Sequence, residues 1–265
     1  MKLHINHKTD YAYSAPVGYA LQKVRLRPLS NPQQTVLDWT INVTGGKIET
    51  GYLDHYGNHV DLCSLKPGGQ SLTISASGTV ETMPSNGVLG MVYARAPLWH
   101  FLQATDKTTA GDGVRALANL INQEGSVLDG LHAMSAAVLA AAPYTIGATD
   151  AQTGAEDALR IGAGVCQDHA QIFVSAARVA GIPARYVSGY LMMNETVDQD
   201  ASHAWAEAHI DGLGWVGFDV SNGYSPDERY VRIATGRDAS DASPIKGLRM
   251  GNAEESLIVS LQVQQ

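Results

Sequence analysis

The pattern of apolar residues changes about one third of the way along the chain, and this change limits the folds open to it. From Met1 to about Val80, apolar and polar residues alternate, as in KLHINHKTDYAYS and SLTISASGTVET, and Pro, Gly and Asn clusters separate the runs. From Pro97 to about Ala142, apolar residues recur every three or four positions, as in GVRALANLINQ. The first part therefore predicts antiparallel strands, and the second predicts helices.

A further helix and several strands follow this region. The segment GAGVCQDHAQIFVSAARVAGIPARYVSGYL predicts a helix from about Cys166 to Ala180, because Gly181 and Pro183 stop it. The runs ARYVSGYL, SHAWAEAHI and GWVGFDV are β-rich, and DGLG between the last two predicts a tight hairpin. We therefore predict an α+β fold in which the cysteine helix packs on an antiparallel sheet.

Charge and cysteine content exclude some classes of protein. The net charge is -8 and there is no long basic run, which argues against a nucleic-acid partner. The polar residues of MKLHINHKTDYAYSA interrupt any signal or membrane-spanning stretch, so we expect a cytoplasmic protein with no membrane partner. Cys63 and Cys166 lie about a hundred residues apart, without the spacing of a disulfide scaffold or zinc knuckle, so we expect reduced thiols.

Cys166 stands at the predicted start of a helix. The unpaired N–H groups and the positive end of the helix dipole favour the thiolate over the thiol at this position. The glycines of the preceding GAG let the chain approach closely and leave room for a substrate backbone beside the sulfur. The alternative is that Cys166 is a small buried apolar residue, which is the ordinary role of an isolated cysteine. Cys63, in the alternating DLCSL, is expected in the core.

The predicted hairpin provides the partners that a thiolate nucleophile needs. His203 lies near the start of its first strand and Asp219 near the end of its second. Antiparallel pairing around DGLG brings the two within a residue or two of being opposite. A base next to the thiol, oriented by an acid, is the arrangement required for nucleophilic catalysis.

These segments, GVCQDHA, SHAWAE and GWVGFD, resemble the transglutaminase-like superfamily, specifically its bacterial cysteine-protease branch. The resemblance extends over nearly the whole chain, because RLRP and LDHYGNHVDL are similar to the N-terminal β-region of that branch and RYVRIATGRDASDASPIKG to its C-terminal segment. It implies that Cys166 is the nucleophile, His203 the base and Asp219 the orienting acid. One departure is Asp219-Val220-Ser221, where the family usually has Asp-Pro-Thr.

The resemblance also implies a domain organisation and an activity. We expect an N-terminal β-domain over residues 1–95 and a papain-like catalytic domain over residues 96–265, with a helical lead-in and a closing C-terminal strand. The expected enzyme is a thiol-dependent hydrolase that cleaves a peptide or other amide bond in a peptide or protein substrate through a thioester. Two alternatives stay open: an acyl transferase that passes the acyl group to an amine, and a non-catalytic peptide-binding module.

Other residues near these motifs carry weaker predictions. Asp168 is expected to cap the cysteine helix, and Tyr144 and Trp205 are candidate substrate-binding residues. Cys166 and His169, spaced as Cys-x-x-His, could join His203 and Asp219 in a zinc site, but a metal would quench the nucleophile. We therefore predict no metal and no cofactor. The sequence leaves the oligomeric state open.

Overall fold

The structure is a computed structural model that describes residues 1–92, 95–123, 125–193, 197–199 and 201–265, and only the backbone of Gln123. The described strands are β1 (Lys2–Val17), β2 (Tyr19–Val24), β3 (Gln34–Thr44), β4 (Gly46–Leu53), β5 (His59–Leu65), β6 (Gly69–Thr82), β7 (Val88–Gly90), β8 (Ala184–Leu191), β9 (Asp198–Gln199), β10 (His203–Ile210), β11 (Gly214–Phe218), β12 (Tyr230–Gly236), β13 (Ile245–Met250) and β14 (Glu255–Gln264). The described α-helices are α1 (Asp112–Leu120), α2 (Val127–Ala141), α3 (Ala155–Ile161) and α4 (Cys166–Val179). Short 3₁₀ helices cover Leu98–Leu102, Asp106–Thr108 and Ile121–Gln123.

Two antiparallel sheets form the N-terminal β-region. The β1 sheet has the strand order β3-β6-β1-β14-β9, and the β2 sheet has the order β13-β2-β5-β4. Along β1, buried and exposed residues alternate as the sequence predicts. The buried faces of both sheets share one apolar core, which includes Leu3, Val24 and Leu72. Cys63 is fully buried in this core, as expected.

The C-terminal strands join these N-terminal sheets, so strand pairing crosses the predicted boundary at residue 95. β14 pairs with β1 and β13 pairs with β2, although both strands lie within residues 96–265. Conversely, β7 pairs with β11, although it lies within residues 1–95. The alternation of apolar residues indicates that a strand has one buried face, but it does not identify the strand with which it pairs.

A third antiparallel sheet, here called the central sheet, has the order β12-β8-β10-β11-β7. The alanines of β10, Ala204, Ala206 and Ala208, form a smooth face against which α4 packs. The helices α1, α2 and α3 pack around α4 on its other sides and complete this second core. The protein therefore has the predicted α+β fold, with the cysteine helix packed on an antiparallel sheet. No helix in the described ranges is long and apolar enough to cross a membrane.

Candidate active site

Cys166 is the first residue of α4. The preceding Val165 is extended, and its N–H donates to Asp168 Oδ2 at 2.9 Å, which fixes the first turn of the helix. Asp168 therefore caps α4, as predicted. The Cys166 side chain is only partly buried. Its position leaves the thiol accessible beside the free N–H groups of the helix N-terminus.

Two glycines of GAG are required by the local backbone, for reasons that the sequence did not identify. Gly162 ends α3 in the left-handed region, with a φ of 73°. Gly164 lies so close to Asp168 that a Cβ on this glycine would be 2.8 Å from the Cβ of the aspartate. The glycines therefore allow α3 to end and α4 to begin within a few residues, and this sharp connection positions Cys166.

His203 lies between the thiol and a carboxylate. Its Nε2 is 2.6 Å from Asp219 Oδ2, and Cys166 lies near enough to the ring to raise the pKa of His203. Burial by itself lowers the pKa of His203, but the hydrogen bonds to Asp219 and Cys166 outweigh burial and raise the pKa to about 10. The imidazole is therefore held as a cation between two groups that carry or can acquire negative charge.

Asp219 follows the last residue of β11 and is almost fully buried. Its Oδ2 also accepts hydrogen bonds from Tyr230 Oη at 2.6 Å and Asn222 Nδ2 at 2.7 Å. Burial opposes ionisation, but the bonds from His203, Tyr230 and Asn222 outweigh it and hold the pKa of Asp219 below its usual value. Asp219 is thus an ionised acceptor that fixes the His203 ring.

The hairpin predicted around DGLG brings His203 and Asp219 together. In the observed register, Ala206 is paired with Phe218, so Asp219 continues the strand opposite Trp205, two positions from His203. The turn after Asp219 differs from the usual Asp-Pro-Thr. Val220 is buried, and the Ser221 hydroxyl is 2.8 Å from His169 Nδ1.

Trp205 lies behind His203 rather than on an open wall of the site. Its side chain is only 3% exposed, and its ring lies nearly parallel to the His203 ring, with centroids 6.4 Å apart. Tyr230 packs edge-on against the same indole. The structure therefore does not place Trp205 where the substrate-binding prediction requires it. This residue supports the imidazole from the side facing the protein interior.

Tyr144 lies on the open side of the site. It forms a parallel bridge with Gly164, which places it next to the start of α4, and its side chain is 50% exposed. Burial of part of the ring, and then the charges of Cys166 and Asp219, raise the pKa of Tyr144. The tyrosine is therefore a neutral group near Cys166 that a ligand can reach.

His169 does not take part in the zinc arrangement that the sequence allows. Its Nε2 is 2.6 Å from the Ala142 carbonyl oxygen and its Nδ1 is 2.8 Å from Ser221 Oγ, so both ring nitrogens are occupied. Burial lowers the pKa of His169. Within the described ranges, no group of three His, Cys, Asp or Glu side chains is arranged to hold a metal ion.

The sequence analysis missed two residues of the site, Tyr230 and Asn222. Asn222 follows Asp219 by three residues in the turn SNG, so its short side chain in a turn was a local signal. Tyr230 lies on β12, and nothing in its own segment indicates that its hydroxyl reaches Asp219. Together these residues complete a buried network that can accept and release a proton at His203 while the Cys166 thiol stays accessible.

The comparisons with known proteins agree with this fold. The family model described as "Transglutaminase-like superfamily" matches residues 114–220. The family model described as "Bacterial transglutaminase-like N-terminal region" matches residues 3–81. A crystal structure of a protein from Cytophaga hutchinsonii, named a "Putative Cysteine Protease", superposes with a TM-score of 0.79 at 25% identity and covers 100% of this chain and 91% of that one.

Relatives in mycobacteria are similar over their whole length. An uncharacterized protein of Mycobacterium leprae is 30% identical over 99% of this chain and 98% of its own. An uncharacterized protein of Mycobacterium tuberculosis is 26% identical over 99% of this chain and 92% of its own. From these matches, the chain belongs to the transglutaminase-like superfamily and carries the N-terminal region of its bacterial members.

Proposed function

We propose that the protein is a thiol-dependent hydrolase that cleaves a peptide or other amide bond through Cys166, His203 and Asp219. The observation that carries this proposal is the position of His203, whose Nε2 is hydrogen-bonded to Asp219 and whose pKa is raised by Asp219 and then by Cys166. An imidazole held in this way can keep the sulfur as a thiolate and later deliver a proton. The superfamily and the similarity to the Cytophaga hutchinsonii protein support the same class of chemistry.

In the proposed first step, the Cys166 thiolate attacks the carbonyl carbon of the substrate and the carbon–nitrogen bond breaks. His203 gives its proton to the departing amine, which leaves a thioester on Cys166. The backbone N–H of Cys166, at the start of α4, is placed to donate to the developing oxyanion. Asp219 stabilises the charged imidazole before transfer and fixes its orientation.

In the second step, water attacks the thioester carbon and loses a proton to His203, and the sulfur leaves as a thiolate. A carboxylic acid is released, and the thiolate and imidazolium are restored. We assign Tyr144 to the substrate side of this reaction, because it is half exposed beside Cys166. Trp205 holds His203 in place and does not touch the substrate in this mechanism.

Acyl transfer is the second candidate, because the same thioester can be resolved by an amine instead of water. A primary amine carrying a label distinguishes the two. An acyl transferase incorporates the label into the product at modest amine concentration, whereas a hydrolase releases mainly free acid. Efficient labelling would therefore replace hydrolysis with acyl transfer as the assignment.

The experiment is a screen of peptide and isopeptide substrates, combined with single-turnover acylation by an activated ester. Wild type is compared with Cys166→Ala and His203→Ala, and Cys63→Ala is the matched cysteine control. We expect the first two variants to lose acylation, and the double variant to lose little more than either, because residues of one catalytic unit are not additive. A Cys166 thiol that does not react in the folded wild type would instead favour a peptide-binding module.

A further inference from the structure

His169 is a buried side chain of α4 that the proposed reaction does not use. It lies three residues after Cys166, which places it one turn further along the same face of the helix. The residue is only 1% exposed. A buried imidazole needs partners for its ring nitrogens. His169 finds them in two segments that are distant in sequence, at Ala142 and Ser221.

The two partners define the form of the His169 ring. The Ala142 carbonyl oxygen can only accept a hydrogen bond, so Nε2 of His169 carries the hydrogen and donates across 2.6 Å. Burial lowers the pKa of His169, which favours the neutral ring. Nδ1 is then an acceptor for the Ser221 hydroxyl at 2.8 Å. The neutral imidazole therefore donates to one segment and accepts from the other.

Ala142 connects His169 to the substrate side of the site. It is the C-cap of α2, where the last carbonyl oxygens have no partner within the helix. The chain continues into residues 143–145, here called the Tyr144 segment, which forms a parallel bridge with Gly164 just before α4. The bond from His169 therefore fixes the point at which the chain leaves α2, and so the position of the Tyr144 segment relative to α4.

Ser221 connects His169 to the acid. It lies in residues 220–223, here called the acid turn, which follows Asp219 directly. In this turn, the Asn222 side chain donates to Asp219 Oδ2 at 2.7 Å, and the Asn222 backbone N–H donates to Oδ1 at 3.2 Å. Both carboxylate oxygens are therefore held by the residue that follows Ser221. Because the bond from His169 ties the acid turn to α4, it also fixes how Asp219 is held.

We propose that His169 is a positioning residue of the active site, which holds the Tyr144 segment and the acid turn in fixed positions relative to the start of α4. It acts through Ala142 and Ser221 and not on the substrate. The proposal rests on the proposed function, because it takes the thiol, the imidazole and the carboxylate named there as the reacting groups. One neutral histidine thus joins the three segments that carry Cys166, Tyr144 and the acid turn.

The first test removes only the bond to the acid turn. Ser221→Ala loses the hydroxyl, and Ser221→Thr keeps one. Ser175→Ala is the matched control, because Ser175 lies on the same helix and its buried hydroxyl donates to the Thr108 carbonyl oxygen at 2.7 Å. Each alanine variant therefore removes one hydroxyl hydrogen bond of α4 or its partner, but only one of the two bonds leads to the acid.

Two measurements report on the reacting groups after circular dichroism shows that the variants are folded. Carbon-13 NMR titration gives the pKa of His203, and iodoacetamide labelling gives the rate at Cys166. We expect Ser221→Ala to lower the pKa of His203 by about one unit, because the carboxylate that raises this pKa is held less well. Labelling should slow in parallel, because the thiolate loses part of its cationic partner. Ser221→Thr and Ser175→Ala should match wild type in both measurements.

The second test removes one partner of the ring at a time. His169→Asn places an amide near the position of Nδ1 and keeps an acceptor for Ser221, whereas His169→Gln places its amide near Nε2 and keeps a donor for Ala142. We expect His169→Gln to resemble Ser221→Ala. His169→Asn should keep the pKa of His203 but raise the half-saturation concentration of an activated ester in single-turnover acylation, because the Tyr144 segment is released.

Two results would overturn the proposal. One is a His203 pKa and a labelling rate in Ser221→Ala that match those of Ser175→Ala. The other is equal effects of His169→Asn and His169→Gln on every measurement, which is the pattern of a residue that only fills space. The Ser221 variants decide the question where a His169 variant does not fold. Failure of wild type to be acylated would count against the proposed function instead, because the pKa of His203 and the labelling of Cys166 do not require acylation.

Discussion

At the scale of single residues, the two cysteines differ in exposure and in their neighbouring groups, which both control thiol reactivity. Cys166 is partly exposed at a helix start, beside His203. Cys63 is fully buried in a strand, and burial, with a smaller effect from the charge of Asp61, raises the pKa of its thiol to about 12. The contrast makes Cys63 an internal reference for the chemistry proposed at Cys166.

We predict that iodoacetamide at neutral pH modifies Cys166 at least about tenfold faster than Cys63, because the thiolate is the reactive form. Peptide mapping by mass spectrometry over a time course measures both rates in one sample. In denaturant the two rates should become similar, because the environments that separate them are lost. Faster modification of Cys63 in the folded protein would remove the basis for the assignment of Cys166.

The raised pKa of His203 gives a second prediction at this scale. Hydrogen bonds to Asp219 and Cys166 both raise it, and the bond to Asp219 is the stronger effect. Asp219→Asn should therefore lower the pKa of His203 more than Cys166→Ala does. Carbon-13 NMR titration of the imidazole measures the His203 pKa in wild type, Asp219→Asn and Cys166→Ala, after circular dichroism shows that the three proteins are folded. A His203 pKa that is the same in wild type and Asp219→Asn would show that the carboxylate does not stabilise the imidazolium.

The sequence predicted Cys166, His203 and Asp219 because each depends on a local pattern: a helix start, a strand and a short hairpin. It could not predict Tyr230, because this residue reaches Asp219 from a strand that is distant in sequence. The burial of Trp205 was not predictable for a related reason. The sequence shows an aromatic residue two positions from His203, but only the packing of Tyr230 against it shows that it faces inward.

At the scale of elements, α4 illustrates what apolar periodicity can and cannot predict. The sequence gives its limits to within one residue at the C-terminal end, because Gly181 and Pro183 are strong local stops. It does not show that the helix is buried on nearly every side. The polar Arg178 is buried because it donates to the carbonyl oxygens of Phe101 and Ala184. Such partners come from other elements and leave no periodic pattern.

The connection before α4 provides the third prediction. In Gly164→Ala, the new methyl group would lie 2.8 Å from the Asp168 Cβ, so the residue that caps α4 must shift. We expect a loss of about 1 to 3 kcal/mol in the free energy of unfolding, as for other overpacked sites, and slower acylation of Cys166. Chemical denaturation and single-turnover acylation measure the two effects.

Gly154→Ala is the matched control, because a Cβ at this helix-flanking glycine approaches its nearest neighbour, Asp157 Oδ2, only to 3.5 Å. It should change stability little and leave acylation intact. Equal effects of the two substitutions would show that Gly164 has no special role in positioning Cys166.

At the scale of the whole molecule, the strands β13 and β14 lie in the same sheets as the strands β1 and β2. β14 pairs with β1 along ten positions, and β13 completes the β2 sheet, so the last residues stabilise the first. Along the sequence, the strands of the central sheet therefore come after β6 and before β13, between two groups of strands that belong to the same β-region. Sequence patterns identified the strands, but the order of strands in a sheet depends on pairings across the entire chain. The division at residue 95 could not represent this topology.

One buried histidine links the β-region to the central sheet. His7 on β1 is hydrogen-bonded through Nδ1 to Tyr190 Oη of β8 at 2.9 Å, and through Nε2 to Thr9 Oγ1 at 3.1 Å. Burial lowers the pKa of His7 from 6.5 to about 4. The folded protein therefore keeps His7 neutral at a pH where the unfolded chain protonates it, so this contribution to stability is complete above pH 6.5 and is lost as the pH falls toward 4.

We predict that the lowered pKa of His7 reduces the free energy of unfolding by up to about 3 kcal/mol between pH 6.5 and pH 4. Each unit of pKa shift corresponds to about 1.4 kcal/mol. Denaturation of wild type and His7→Gln at a series of pH values isolates this effect, because other titrating groups contribute equally to both proteins. His7→Gln should be less stable at neutral pH and should lose less stability on acidification. His4→Gln is the control for replacing a histidine with glutamine, because His4 lies on the same strand but is exposed. Parallel profiles for His7→Gln and wild type would show that His7 is not the group whose protonation weakens the contact between the two sheets.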